Sequence, residues 1–252
     1  MEEEAVTLSL KYIPKMFSDF IGMRVPVNLI MQMIIKDEIT PLLIQGPSGT
    51  GKSALAMLTI KSLSCLNRPK NSAEPCGKCP HCLYFQQVGG YQPPGYLHIN
   101  CPRVLDFSTY NKLFELFVYA PPLNSRYWIV LLQEFQRTAP QVRDMFLDEL
   151  EQRWRKVLFL FTVIDVKADK IDAAFRQRCT LIQTYPPERE EILPWLQKIC
   201  SQEDIKVADN EIFELVADYA SNVPRECLMI LNKLKFTNEA LTVPLVREIL
   251  QI

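Results

Sequence analysis

Short, almost purely apolar runs recur along the first three-quarters of the chain, and between them apolar positions fall three or four residues apart. Residues 41–45, Tyr96–Asn100, Trp128–Leu132, Val157–Thr162 and Thr180–Gln183 have the continuous hydrophobicity of strands buried on both faces. Helical spacing covers Val27–Ile35, Lys52 to about Leu66, Phe107–Tyr119, Ala139–Gln152 and Ile171–Arg178. Regular alternation of the two patterns predicts an α/β fold with a five-stranded parallel sheet clothed in helices on both sides. Ahead of it, Lys11-Tyr12-Ile13-Pro14-Lys15 reads as an extended arm because of its proline. Beyond Tyr185-Pro186-Pro187 the strand pattern stops. Glu188–Cys200, Asn210–Tyr219, Arg225–Lys235 and Val243–Leu250 then predict a small all-helical domain. The proline pair is the natural boundary, giving domains at 1–184 and 185–252, with no internal repeat.

Composition narrows the classes. The chain has 252 residues, 48% hydrophobic and 23% charged, which is the make-up of a globular protein rather than a disordered one. With 28 Lys+Arg against 29 Asp+Glu, the net charge of −1 excludes whole-protein basicity as a route to nucleic acid. Contact with DNA needs a local patch. Arg103, Lys112, Arg137 and Arg143 are candidates for it, with a solvated face as the plainer reading of each. Met1-Glu2-Glu3-Glu4 is unlike a signal peptide, and the most apolar stretch, Val157–Val166, is about half a membrane span and contains Asp165. The expectation is a soluble cytoplasmic protein without membrane contact.

Only eight glycines occur, and Gly46, Gly49 and Gly51 share one loop. Gly46-Pro47-Ser48-Gly49-Thr50-Gly51-Lys52-Ser53 satisfies G-x-x-x-x-G-K-[ST] between an expected strand and an expected helix. Glycines there let backbone N–H groups curl round a phosphate at a helix N-terminus. Lys52 would reach the β- and γ-phosphates of ATP, and Ser53 would offer its hydroxyl to Mg2+. Such a site also uses a carboxylate at the end of a neighbouring strand. The strand Trp128–Leu132 runs into Gln133-Glu134, so Glu134 is the candidate base for water, while a neutral amide, Gln133, stands at the metal-holding position.

Eight cysteines are present, and Cys65, Cys76, Cys79 and Cys82 read C-x10-C-x2-C-x2-C. The two-residue gaps let turns present four thiolates to one Zn2+, closing a structural site in a zinc module spanning about residues 65–85. His81 lies inside the cluster and is an alternative ligand to one of the thiols. Cys101, Cys179, Cys200 and Cys227 are isolated and read as buried thiols. Treated as a separate cooperative unit, the module should melt in Cys79→Ser while nucleotide binding stays largely intact.

A P-loop followed by this cysteine module resembles the AAA+ subunits of the bacterial DNA polymerase III clamp loader, of the gamma/tau and delta-prime type. Leu10 to Lys15, with Phe17, Asp19, Phe20, Ile21 and Gly22, is similar to the family's adenine-lining arm, with Ile13 where the family has arginine. The resemblance thereby assigns Tyr12, Pro14, Ile21 and Gly22 to the cofactor pocket. It makes Thr162 a sensor at the end of the fourth strand, with a slightly lengthened loop running on to Lys170. Gln177-Arg178-Cys179 is similar to the family's Ser-Arg-Cys motif, whose arginine reaches the ATP of the adjacent subunit, and here the serine is replaced. Asn222-Val223-Pro224-Arg225-Glu226 looks like the start of the lid helix, placing Pro224 and Arg225 at the γ-phosphate.

The family implies other clamp-loader subunits in a hetero- or homo-oligomer, pentameric in form, together with a sliding clamp and primer-template DNA. It also carries a collar domain after the lid; this sequence ends just past the expected lid, so the expectation is either a minimal, phage-like version or a chain from which the collar has been removed. Two rival functions stand beside ATP-driven clamp loading. One is a non-hydrolysing structural subunit that lends Arg178 to a neighbour, favoured by Gln133. The other is a P-loop small-molecule kinase, which gives no account of the cysteines.

Overall fold

The computed structural model describes residues 7–87, 90–101, 107–123, 125–151, 156–165, 171–237 and 239–251. The chain opens with α1 (Leu8–Lys11), a 3-10 turn at Phe17–Asp19 and α2 (Arg24–Lys36). Strands and helices then alternate as β1 (Leu42–Gln45), α3 (Lys52–Leu63), α4 (Pro80–Phe85), β2 (Tyr96–Asn100), α5 (Phe107–Phe117), β3 (Trp128–Gln133), a 3-10 turn at Phe135–Arg137, α6 (Pro140–Glu151), β4 (Val157–Val163), α7 (Ala173–Arg178) and β5 (Thr180–Gln183). Four helices follow: α8 (Arg189–Gln202), α9 (Glu211–Tyr219), α10 (Pro224–Leu234) and α11 (Val243–Leu250).

The five strands form one parallel sheet in the order β2-β3-β4-β1-β5. Successive side chains leave opposite faces of a strand, so each apolar run feeds two cores. Leu42, Ile44, Ile129, Leu131, Leu158 and Leu160 pack with Val27, Ile30 and Ile34 of α2 and Leu55 and Leu58 of α3. Leu43, Val130, Leu132, Phe159, Phe161 and Val163 pack on the other face with α5, α6 and α7. Phenylalanine dominates that second core. The Phe146 ring meets those of Phe159 and Phe161 edge-on at 5.6 and 5.9 Å, the arrangement that aromatic quadrupoles favour.

The C-terminal helices build a third core around Ile192, Leu196, Ile212, Val216, Leu228, Leu231 and Val246. Leu8 joins this core from the other end of the sequence, and its N–H donates to Asn232 Oδ1 at 3.2 Å. The extended arm expected over Lys11–Lys15 is thus preceded by a short helix that the spacing did not announce and that takes in only its first residue, Lys11. Residues 8–11 form α1, whose buried Leu8 repays the ordering of a single turn by docking on α10. A second difference is α4, inside the cysteine segment. Pro80 at its first position supplies a preset φ and sacrifices no hydrogen bond there.

Candidate functional site

β1 ends at Gln45 and α3 starts at Lys52, so residues 46–51 turn at the carboxyl edge of the sheet, where open α/β sheets bind ligands. Gly49 and Gly51 have φ of 81° and 97°, in the left-handed region that other residues enter at a cost. Close approach adds to the requirement. A β-carbon on Gly46 would run into Thr184, and one on Gly49 would stand 2.6 Å from Val223 Cγ1 and 3.2 Å from Arg225 Cβ. The backbone of Gly51 lies against Phe20 and Met23, and that of Gly22 against Pro187 and Glu191. Segments far apart in sequence thus converge on the loop, namely the arm, the end of β5 and the start of α10, and the arm in turn packs on the start of α8. Among the residues matched to the family's nucleotide site, Arg225 reaches the loop at Gly49, while Gly22 packs instead on Pro187 and Glu191 at the start of α8.

Lys52 Nζ donates to the carbonyls of Gly46 and Pro47, each at 2.7 Å, so its ammonium is already held over the mouth of the loop. Ser48 and Ser53 are exposed. Thr50 Oγ1 donates to Pro47 O at 2.8 Å and meets Thr184 Oγ1 at 2.8 Å, bracing the loop from below. An α-helix of twelve residues beginning in this loop, with glycines that leave room for a phosphate, suits the triphosphate of a nucleotide.

On the neighbouring strands, Thr162 pairs in register with Ile44 and is buried, and its Oγ1 accepts the Glu134 N–H at 3.2 Å. Gln133 closes β3, and Glu134 follows with φ 54°, a strained left-handed residue that turns the chain into the 3-10 segment. Glu134 is half-exposed and its carboxylate pairs with Arg137 Nε at 3.1 Å. Arg178 stands elsewhere. It closes α7 just before β5, whose first residue, Thr180, pairs with Leu42, while its last, Gln183, pairs with Gln45 beside the loop. Four parallel residues rise roughly 10 Å, so Arg178 lies at the amino edge of the sheet, away from its own P-loop. There its Nη1 donates to Ala174 O at 2.7 Å and its Nη2 pairs with Glu151.

The arm's Tyr12 hydroxyl donates to Glu203 Oε1 at 2.7 Å, just past α8. Lys11 and Lys235 pair with the same carboxylate at 2.6 and 2.8 Å. Burial alone would raise the Glu203 pKa, but the hydrogen bonds from Lys11, Lys235 and Tyr12 bring it down to about 2. Burial and the Glu203 carboxylate raise the Tyr12 hydroxyl above its ordinary value. Ile21 packs on the C-terminal core, while Phe17, Phe20 and Met23 belong to the core under the sheet. The arm therefore straddles both units.

The Sγ atoms of Cys65, Cys76, Cys79 and Cys82 all lie within 4.8 Å of one another, with Cys76–Cys82 and Cys65–Cys79 at 4.0 Å. Tetrahedral Zn2+ with Zn–S near 2.3 Å asks for sulfurs about 3.8 Å apart, so this donor set fits the ion. The backbone N–H of Cys76 points to Cys65 Sγ at 3.2 Å, and that of Cys79 to Cys76 Sγ at 3.4 Å. Although burial opposes it, N–H groups of Lys78 and Cys79 bring the Cys76 thiol down to about 6, toward the thiolate a metal needs. His81 is not a fifth candidate in practice. Its Nδ1 bonds Ser64 O at 2.7 Å, and the ring lies outside the cluster. Cys101, Cys200 and Cys227 are buried and Cys179 is partly so; burial raises the thiol pKa of each.

No family model matches the chain. Individual proteins do. DNA polymerase III subunit gamma of Buchnera aphidicola is 25% identical over 94% of this chain and 66% of its own length. The gamma/tau subunit of Mycoplasma pneumoniae is 25% identical over 93% of this chain, and Protein STICHEL of Arabidopsis thaliana is 27% identical over 100% of it. The chain is similar to DNA polymerase III gamma/tau subunits along nearly its whole length. It spans only about a third of the Mycoplasma subunit and a fifth of STICHEL. Among solved structures, the Thermotoga maritima RuvB Holliday junction branch migration motor superposes on 95% of this chain and 72% of its own, with a TM-score of 0.62 at 13% identity. That likeness speaks to the AAA+ fold alone. Among the described residues no helix is long and apolar enough to cross a membrane.

Sequence reasoning passed over three residues that organise the site. Thr184, fully buried, donates to Gln45 O at 3.0 Å and braces Thr50. Glu203 collects the arm, and Glu74 accepts N–H groups from Phe17 and Ser18. All three act through pairings across more than fifty residues, which no local spacing encodes. Of the candidate phosphate contacts, Arg137 is paired with Glu134, Lys112 is exposed, and Arg103 lies outside the described residues, as do Val166 and Lys170.

Proposed function

We propose that this chain is the AAA+ nucleotide-binding part of a sliding-clamp loader subunit acting in DNA replication in the cytoplasm, with other loader subunits, the clamp and primer-template DNA as partners. The observation that carries this reading is the packing of the arm, through Phe20 and Met23, and of the start of α10, through Val223 and Arg225, on the glycines of the P-loop at the sheet edge. ATP is the ligand that this reading seats there. Lys52 leaves the carbonyls of Gly46 and Pro47 for the β- and γ-phosphates, Arg225 approaches from α10, and the backbone of residues 46–51 cradles the β-phosphate. Residues 185–252 act as the lid domain of this reading, with the arm clipped to it through Glu203.

On this reading Ser53 and Gln133 would hold Mg2+, which when bound neutralises phosphate charge. Glu134 orients the attacking water and takes its proton, once freed from Arg137, and Thr162 fixes the turn that aims it. Arg178, at the far edge of the sheet, serves the nucleotide of an adjacent subunit.

Gln133 favours a second reading, in which nucleotide is bound and not turned over. One set of assays separates them. Phosphate release is measured for the isolated chain, then with clamp, primer-template DNA and companion subunits. Hydrolysis that appears only in the assembly, and vanishes there in Arg178→Ala, supports the loader. Nucleotide binding without hydrolysis in the full assembly supports the structural subunit, and absence of any nucleotide binding overturns both.

A further inference from the structure

The arm does not run free between the two units. From Lys15 to Met23 it lies along α3, meeting the cysteine module at one end of that helix and the P-loop at the other. At the module end, Glu74 Oε2 accepts the Phe17 N–H at 2.9 Å and Oε1 accepts the Ser18 N–H at 3.2 Å. One carboxylate thus holds two consecutive arm amides. Lys61, buried near the end of α3, donates from Nζ to Lys15 O at 3.3 Å, and Asp19 Oδ2 accepts the N–H groups of Lys15 and Met16, each at 2.9 Å. At the P-loop end, Phe20 and Met23 rest on Gly51, and Gly22 rests on Pro187.

Glu74 is itself fixed by the cysteine segment. Ser72 Oγ accepts its N–H at 3.0 Å, Arg68 Nη1 donates to Ser72 O at 2.8 Å, and Arg68 Nε donates to Ser62 O at 3.2 Å. Two residues on, Cys76 enters the sulfur cluster. Between Cys65 and Cys82 the segment gives Ala73 to the core under the sheet, and Tyr84 and Phe85 pack on that core just past the last cysteine. A metal held by Cys65, Cys76, Cys79 and Cys82 would tie the two ends of this segment together. Whatever orders this segment therefore orders Glu74, and through Phe17 and Ser18 it sets the part of the arm that leans on Gly51.

We propose that Glu74 is a positioning residue that couples metal occupancy of the four-cysteine module to nucleotide affinity at the P-loop. The inference rests on the reading of the P-loop as a nucleotide site, and it reverses the expectation that the module could melt without consequence there. Coupling is reciprocal by thermodynamic necessity: if metal tightens nucleotide binding by some factor, nucleotide tightens metal binding by the same factor.

The test uses the whole chain, zinc-loaded or chelator-stripped, titrated with a fluorescent ATP analogue. Stripping zinc should weaken binding by about fivefold or more in the wild type. In Glu74→Ala, binding should be weak whether zinc is present or not. Glu74→Gln, which keeps one acceptor oxygen, should fall between. A second measurement follows zinc transfer to a chromophoric chelator at equilibrium: saturating nucleotide should suppress the transfer in the wild type by the same factor, and should not do so in Glu74→Ala. Equal affinity of zinc-loaded and stripped wild type overturns the proposal without recourse to any variant, as does full coupling retained in Glu74→Ala. Failure of the zinc-loaded wild type to bind the analogue at all overturns the nucleotide reading instead.

Discussion

The four-cysteine module and the P-loop crease lie toward the two ends of α3 and are assembled in different ways. All four thiols come from residues 65–82, and the backbone N–H groups of Cys76 and Cys79 already point at the sulfurs of Cys65 and Cys76. The crease draws on the arm, residues 46–53, Pro187 and residues 223–225, which meet only because the sheet and the C-terminal helices are folded. A site built from one short segment can form or melt with that segment. A site built from four segments inherits the cooperativity of the whole fold, and its side chains can be shifted by motion of any contributor.

The strongest break of the comparison is at Lys52. Lys52→Ala removes the only P-loop ammonium and should weaken nucleotide binding by about a hundredfold or more, read by analogue titration, while zinc content stays near one per chain. Next comes Cys79→Ser, which should drop zinc below about half an equivalent by elemental analysis and raise amide exchange across residues 65–85, leaving the sheet's slowest amides protected. Nucleotide affinity retained in full by that variant would restore the picture of two independent sites.

A smaller effect is expected at Glu203. Its folded pKa of about 2 lies below the ordinary 4.5, so its ion pairs contribute stability that is present above pH 4.5 and is lost as pH falls toward 2. Glu203→Gln should lower the thermal midpoint at pH 7 by a few degrees, corresponding to about 1–2 kcal/mol once the half-exposed lysines are allowed for, and the gap from wild type should close between pH 4.5 and pH 2. Smallest is Gln133→Asp. An anionic oxygen attracts Mg2+ more strongly than an amide, so half-maximal ATPase in the assembly should need several-fold less Mg2+. If the substitution slows a brisk wild-type rate, another carboxylate holds the metal.

How much could be read in advance followed the same division. The five strands and the cysteine spacing lie within short windows, and the apolar runs and two-residue gaps announce them directly. The glycine pattern located the loop but not what braces it. Thr184 is an ordinary threonine in sequence, and it becomes a strut only because β5 is placed beside β1. The helix ahead of the arm went unannounced for a related reason. Pro14 argues for extension locally, yet α1 precedes it and is stabilised by a pocket made by residues more than two hundred positions away. Glu203 and Glu74 look like solvated acids until three donors surround the one and two backbone amides face the other.

The placement of Arg178 at the amino edge of the sheet, with the P-loop at the carboxyl edge, gives the molecule a polarity. If the arginine serves a neighbour, the contact between protomers is heterologous: each presents one surface and receives a different one. Unless a two-fold pair exchanges its two arginines, contacts of this kind do not close on themselves as dimers. Addition continues head to tail until the rotation closes a ring, or it winds on as an open helix. An unclosed series then has unequal ends. At one end a nucleotide is without a donor; at the other an arginine has no nucleotide to meet. The order of subunits in a mixed series would decide which nucleotides can turn over.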